Sequence, residues 1–185
     1  MQERNGGTKM KGQLTTAALT AKAIREELKT KFPTIKFSVK SSNFSMGNSV
    51  DIDWTDGPSR EQVEETTKKY QYGHFDGMTD CYEYSNKVDN IPQAKFVMAQ
   101  RTLSDELVKN CAEVIAKEEG IEFDGDLGKS FTWHDQYYNW SQIVYQFVNK
   151  IDFTGKNGLR ALEEFSGSIW GGYEAVQIEI MEVQE

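Results

Sequence analysis

Apolar residues first recur at helical spacing at Ala17, Ala21, Ile24 and Leu28, which are four, three and four positions apart. That spacing places them on one face of an α-helix. Thr15 or Thr16 is available as its N-cap, Phe32 extends the stripe, and Pro33 ends it, because the residue before a proline is pushed out of the helical region. The period then changes to two. Phe37, Val39 and Ser41 alternate with lysines and serine, and Val50, Ile52 and Trp54 alternate with Asp51, Asp53 and Thr55. Two half-buried strands follow from this pattern, joined by SNFSMGNS with a turn at Gly47 and Asn48 and a loop longer than the two-residue form.

Ser59 and Gln62 have capping-box spacing, so a second helix is expected over about residues 60 to 71. Val63, Thr66 or Thr67, and Tyr70 face inward, and Gly73 terminates it. FDGMTD, residues 75 to 80, reads as an ordered turn, followed by a strand over 81 to 84, a polar loop to Pro92 and a strand over 95 to 101. A third helix starts at Ser104, with Leu103 set to staple against Val108, with Leu107, Cys111, Val114 and Ile115 inward, and with Gly120 as its left-handed terminator. Trp133, Tyr137, Trp140, Val144, Phe147 and Ile151 predict a fourth helix, capped by Thr132 with Asp135 at the capping-box position. Beyond GKNG, residues 155 to 158, Val176, Ile178 and Ile180 alternate as a C-terminal strand. The expected class is α+β: a predominantly antiparallel sheet with helices packed on one face, plus C-terminal helical and strand elements. The expected organisation is a flexible tail over 1–13, a core over 14–103, and a helical extension with the C-terminal strand over 104–185 integrated into the same domain.

Residues 21 to 58, AKAIREELKTKFPTIKFSVKSSNFSMGNSVDIDWTDGP, and residues 70 to 84, YQYGHFDGMTDCYEY, carry a more specific signal. Phe32-Pro33 at a helix end, the strand Lys36 to Ser41, the strand end Trp54 to Pro58 and the turn Phe75 to Met78 occur in one order at coherent separations. In these strings residues 17 to 101 closely resemble the large polyvalent protein associated domain family 29. The resemblance implies an accessory module of phages, plasmids or conjugative elements, acting in establishment or counter-defence. It implies no active site, so it transfers no catalytic residue and no cofactor.

Charge changes the picture of what such a module binds. The chain has 185 residues, 21 basic and 29 acidic, for a net charge of −8. Bulk attraction to nucleic acid or an anionic membrane is therefore a poor default. The distribution is uneven: residues 1 to 40 carry nine basic and three acidic side chains, and residues 161 to 185 carry six acidic and none basic. No run approaches 18 apolar residues, which excludes a conventional spanning helix. The polar start lacks the apolar core of a signal peptide, and Cys81 and Cys111 are too few for a disulfide framework, so a reducing cytoplasmic setting is expected. Both cysteines read as packing residues.

Candidate chemistry gathers around the hairpin and the FDGM turn. Asp51 and Asp53 share the side opposite Ile52, and Asp56, Asp76 and Asp80 lie in adjoining loops. A divalent cation takes such oxygen ligands, but EF-hand spacing is missing and solvated or turn-forming carboxylates are the simpler reading, so no metal is assigned. His74 beside them is placed to act as an acid or base in a hydrolase, one alternative. His134 and Asp135 are neighbours whose side chains diverge on a helix. GSIWGG lacks the lysine and hydroxyl of a phosphate loop. Trp54, Tyr70, Tyr72, Phe75, Tyr82 and Tyr84 form either a binding platform or core, and Lys36, Lys40, Lys68 and Lys69 add positive potential suited to single-stranded nucleic acid, a second alternative. The favoured expectation is a noncatalytic module with a host or mobile-element protein as partner, without cofactor and without membrane. Its interaction surface comprises Lys36, Lys40, Asp51, Asp53, Asp56, Lys68, Lys69, Tyr72, His74, Asp76 and Asp80.

Overall fold

The computed structural model describes residues 14–133 and 136–154. The chain runs α1 (Thr16–Lys31), β1 (Ser38–Phe44), β2 (Gly47–Thr55), α2 (Arg60–Thr67) continued by one 3-10 turn (Lys68–Tyr70), β3 (His74–Asp76), β4 (Cys81–Glu83), β5 (Phe96–Thr102), α3 (Asp105–Glu119), β6 (Ser130–Trp133), β7 (Gln136–Asn139) and α4 (Trp140–Val148). This is an α+β fold whose strands fall into three small, mostly antiparallel sheets. The expected N-terminal tail and C-terminal strand lie outside the described residues.

The main sheet has the order β1-β2-β5. β1 and β2 pair antiparallel, with Val39 opposite Ile52, while β5 joins the other side of β2 in parallel, with Ile52 opposite Ala99. Alternation sends Val39, Val50, Ile52, Trp54 and Ala99 to one face, where they pack with Ala21, Ile24 and Leu28 of α1 and Val63 of α2. Both helices thus cover the same face, as an apolar stripe on each requires. Thr15 caps α1, and Ser59 and Gln62 close a reciprocal capping box on α2. Trp54 is buried, and its indole N–H donates to the Pro58 carbonyl at 3.1 Å, so its one polar atom is satisfied inside the core.

Several local expectations are corrected. The β1–β2 turn is Ser45–Met46, because Phe44 pairs with Gly47 and leaves the tight two-residue loop. Gly47 and Asn48 already belong to β2. Gly73 does not end a helix, which has finished at Tyr70; a Cβ there would collide with the Glu83 carbonyl oxygen, so glycine permits β4 to approach. The strand at Cys81–Glu83 does not enter the main sheet. It pairs with His74–Asp76 in a separate hairpin, with Gly77 to Asp80 as the turn.

The second half forms its own apolar cluster, built from Leu103, Val108, Cys111, Ala112 and Ile115 around α3 and Trp140, Ile143, Val144 and Val148 on α4. Ser104 caps α3, and Gly120 ends it with φ 66°, the left-handed geometry that glycine adopts without strain. The largest correction falls here. The expected long aromatic helix is a hairpin, β6–β7, followed by the shorter α4, whose capping box is Asn139 and Gln142 rather than one at Thr132. Thr132 lies in β6, and Asp135 lies outside the described residues. Tyr137 is exposed and pairs with Thr132 across the hairpin, so the spacing that leads to Trp140 runs through two strands and not along one helix face.

The two clusters meet around Arg101 and Asp56. The Arg101 guanidinium donates to the carbonyls of Val148 (2.6 Å), Ile151 (2.7 Å) and Pro58 (3.2 Å). Phe153 bridges back to Gly57, and the Gln62 side chain reaches Asp152 at 3.0 Å.

Candidate interaction surface

The sheet face turned away from α1 and α2 carries Ser38, Lys40, Ser42 and Phe44 from β1, Ser49, Asp51 and Asp53 from β2, and Phe96, Met98 and Gln100 from β5. Phe44, Met46 in the turn and Met98 are exposed on it, Met46 to 79% and Met98 to 54%. Exposed apolar groups clustered in this way, beside polar ones, mark binding surfaces more than isolated side chains do.

An aromatic ladder continues that face onto the β3–β4 hairpin. Phe44 stacks on Phe96 with ring centroids 6.4 Å apart, and Phe96 meets Tyr82 edge-on at 5.6 Å. Tyr82 meets both Tyr72 and Tyr84 edge-on, and those two stack at 5.6 Å with planes only 3° apart. Each contact falls in the range where offset or edge geometry is attractive. The Lys95 ammonium lies 4.9 Å above Tyr82 and 5.5 Å above Phe96, and donates to the Met46 carbonyl. Tyr82 donates its hydroxyl to the Lys95 carbonyl at 2.5 Å; burial, then the neighbouring tyrosines, push its pKa up to about 12. The ladder is therefore fixed at Tyr82 and open at Tyr84, which is 70% exposed.

The expected surface residues separate on this framework. Lys40, Asp51 and Asp53 share the open face, Lys40 directly across from Asp51, and Tyr72 belongs to the ladder. Lys36 is exposed just before β1. Asp56 is an internal cap: in left-handed backbone at φ 55°, it accepts from Ser104 N–H at 2.8 Å and from the Ser104 hydroxyl at 2.7 Å. Lys69 is held by Glu27 at 2.7 Å. Lys68 and His74 line a cleft of about 280 Å³ with Glu64, Gln71, Ser85 and Asn86.

His74 is exposed and contacts the Ser85 hydroxyl at 3.0 Å through Nδ1 and Glu83 at 3.6 Å through Nε2. Asp76 is engaged elsewhere: its carboxylate accepts from Met78 N–H and the Thr79 hydroxyl, and these bonds hold it below the usual carboxylate range. Asp80 is exposed in left-handed backbone at φ 53°. The five aspartates thus occupy an open sheet face, a helix cap and a turn, and the described residues contain no cluster of three or more His, Cys, Asp or Glu side chains that could hold a metal ion. Trp54 and Tyr70 are core residues, not platform residues. Phe44, Met46, Lys95, Phe96 and Met98 escaped the sequence reading, although Phe96 and Met98 alternate in KFVMAQR with Ala99 on the opposite face.

These features define a mixed-sheet α+β module with one helix-covered face and one aromatic, solvent-facing one. Residues 15–106 match the family model described as large polyvalent protein associated domain 29, so this segment is similar to that family. The match takes in α1 to β5 and stops within the first turn of α3. No curated protein and no solved structure matches the chain. No helix among the described residues is long and apolar enough to cross a membrane.

Proposed function

We propose that the chain is a noncatalytic accessory module of a phage, plasmid or conjugative element, and that it works by binding a host or mobile-element protein through its open sheet face. The observation that carries this reading is the continuous run from Phe44 through Phe96 to Tyr82 and Tyr84, with Met46 and Met98 exposed beside it. Aromatic and methionine side chains are the residue types enriched at protein interfaces. Lys40, Asp51 and Asp53 bring both signs of charge to the same face, which suits a mixed polar rim better than a polyanion. The family match supports the association with polyvalent proteins. Establishment and counter-defence are the roles the resemblance suggests.

Quantitative capture from host extract by the full chain and by a Phe44→Asp, Met98→Asp variant is the test. Both positions face solvent, so the variant should keep its native circular dichroism while losing a specific, saturable partner. Unchanged capture would remove the open face from the function. Single-stranded nucleic acid is the second reading, favoured by Lys95 above two rings and by the stack of half-buried Tyr72 on exposed Tyr84. Tight oligonucleotide binding that falls steeply with salt, and that disappears on charge reversal of Lys36, Lys40, Lys68 and Lys69, would put it first.

A further inference from the structure

Among the described residues β1 is the outer strand of the main sheet, and its far edge carries backbone groups that the sheet does not use. In the tight hairpin Phe44 and Gly47 form the closing hydrogen-bonded pair, and bonded pairs alternate from there along the ladder. Val39, Ser41 and Asn43 therefore direct their N–H and C=O groups outward. Arg25 confirms the phase by donating to the Val39 carbonyl at 2.6 Å. Among the described residues nothing bonds the outward N–H or C=O groups of Ser41 and Asn43. Such an edge is a template for a further strand.

The surroundings specify the charge of that strand. Arg25 and Lys29 of α1 line a hollow of about 230 Å³ with Pro33, Ile35 and Phe37, at the entry to β1. Lys36 and Lys40 are exposed along the same segment. Among the described residues none of these four cations has a carboxylate within ion-pair distance. A second copy pairing β1 with β1 would bring the same four cations together, which disfavours self-association there.

We infer that the β1 edge receives an extended acidic segment of a partner protein as an added strand. Its backbone pairs with Ser41 and Asn43; on the open side its carboxylates meet Lys40, with Lys36 just ahead of it, and on the α1 side its apolar side chains enter the hollow lined by Ile35 and Phe37, with Arg25 and Lys29 at its rim. Main-chain pairing supplies affinity in this mode, and the flanking pockets and charges supply selection. The site shares Lys40 with the open sheet face but sits on the β1 edge, and protection of the Ser41 and Asn43 amides reports the edge alone.

The probe is a labelled peptide of about ten residues alternating valine with glutamate, the length of one strand, compared with its lysine counterpart. Both are titrated into the full chain. The acidic peptide is expected to saturate, to weaken with salt, and to slow exchange of the Ser41 and Asn43 amides by about tenfold or more. Combined Lys29→Glu, Lys36→Glu and Lys40→Glu substitution should weaken it by about tenfold or more with the spectrum unchanged. Ser41→Pro removes an outward N–H that β2 does not use and should abolish binding; should that variant not fold, the charge variant still decides. Equal binding of the two peptides, no binding of either, protection that omits Ser41 and Asn43, or protection of those amides by concentration-dependent dimers of the free chain would each overturn the inference.

Discussion

At the scale of single residues, Glu27 is a carboxylate that joins two helices. It accepts from Lys69 at 2.7 Å and from the Tyr70 hydroxyl at 2.6 Å, tying α1 to the end of α2. Burial by itself raises its pKa, but the two hydrogen bonds and the charges of Lys69 and Lys31 outweigh burial and hold it below its ordinary value of 4.5. A carboxyl lowered in the folded state stabilises the fold above its unfolded pKa, and that contribution is lost as pH falls through the folded pKa. Thermal unfolding between neutral pH and about pH 3 should therefore show Glu27→Gln melting lower at neutrality and losing less on acidification below about 4.5. A parallel pair of curves would deny Glu27 this part. Trp54 makes the complementary case for packing: Trp54→Ala should cost about 3–5 kcal/mol in denaturant unfolding, since the indole fills the core between Phe37 and the sheet and donates to Pro58.

At the scale of elements, the sharpest contrast lies between residues 130 and 148. Side chains at four-three-four spacing suit a helix stripe, yet here the intervals run through the two strands of a hairpin before the helix starts. The capping box decides the matter. Asn139 accepts from Gln142 N–H at 2.9 Å, while the Gln142 side chain accepts from Asn139 N–H at 3.2 Å, so the helix begins at Trp140. Asn139→Ala should accordingly lower stability by about 1 kcal/mol, and Thr132→Ala, in an exposed strand position, by less than about 0.5 kcal/mol. Chemical denaturation of the two variants tests the assignment, and the reverse order of costs would restore the longer helix.

At the scale of the molecule, Arg101 stands where the two apolar clusters meet. Its guanidinium satisfies carbonyls at the C-terminal end of α4 and at Pro58, a favourable place for a cation beside a helix C-terminus. Asp56 works alongside it, holding the start of α3 to the end of β2. We expect residues 14–154 to unfold cooperatively for this reason. Arg101→Met should cost about 3 kcal/mol, because several buried carbonyls lose a charged donor, and should let the α3–α4 cluster open independently. Amide exchange of Ile52 and Val144 reports the two clusters separately. Coincident opening energies in the variant would mean that packing alone couples them.

Local patterns in the chain were sufficient for much of this structure. The α1 stripe, the caps at Ser59 and Ser104, the left-handed Gly120 and the buried alternation of Val50, Ile52 and Trp54 are each set within a few residues, where spacing and capping chemistry act directly. The family resemblance was legible for the same reason, as short strings in order. What depends on partners distant in sequence was not. Phe96 stacks on Phe44 only because β5 joins β2 in parallel, and Tyr82 reaches Phe96 only because a separate hairpin folds beside that strand. Gly73 is explained by Glu83, and Asp56 by Ser104, neither of which is its neighbour in the chain. Sequence period states which side of a strand is apolar, but strand order and the crossover connection decide which side chains meet, and those are fixed by burying both helices against a single face of the sheet.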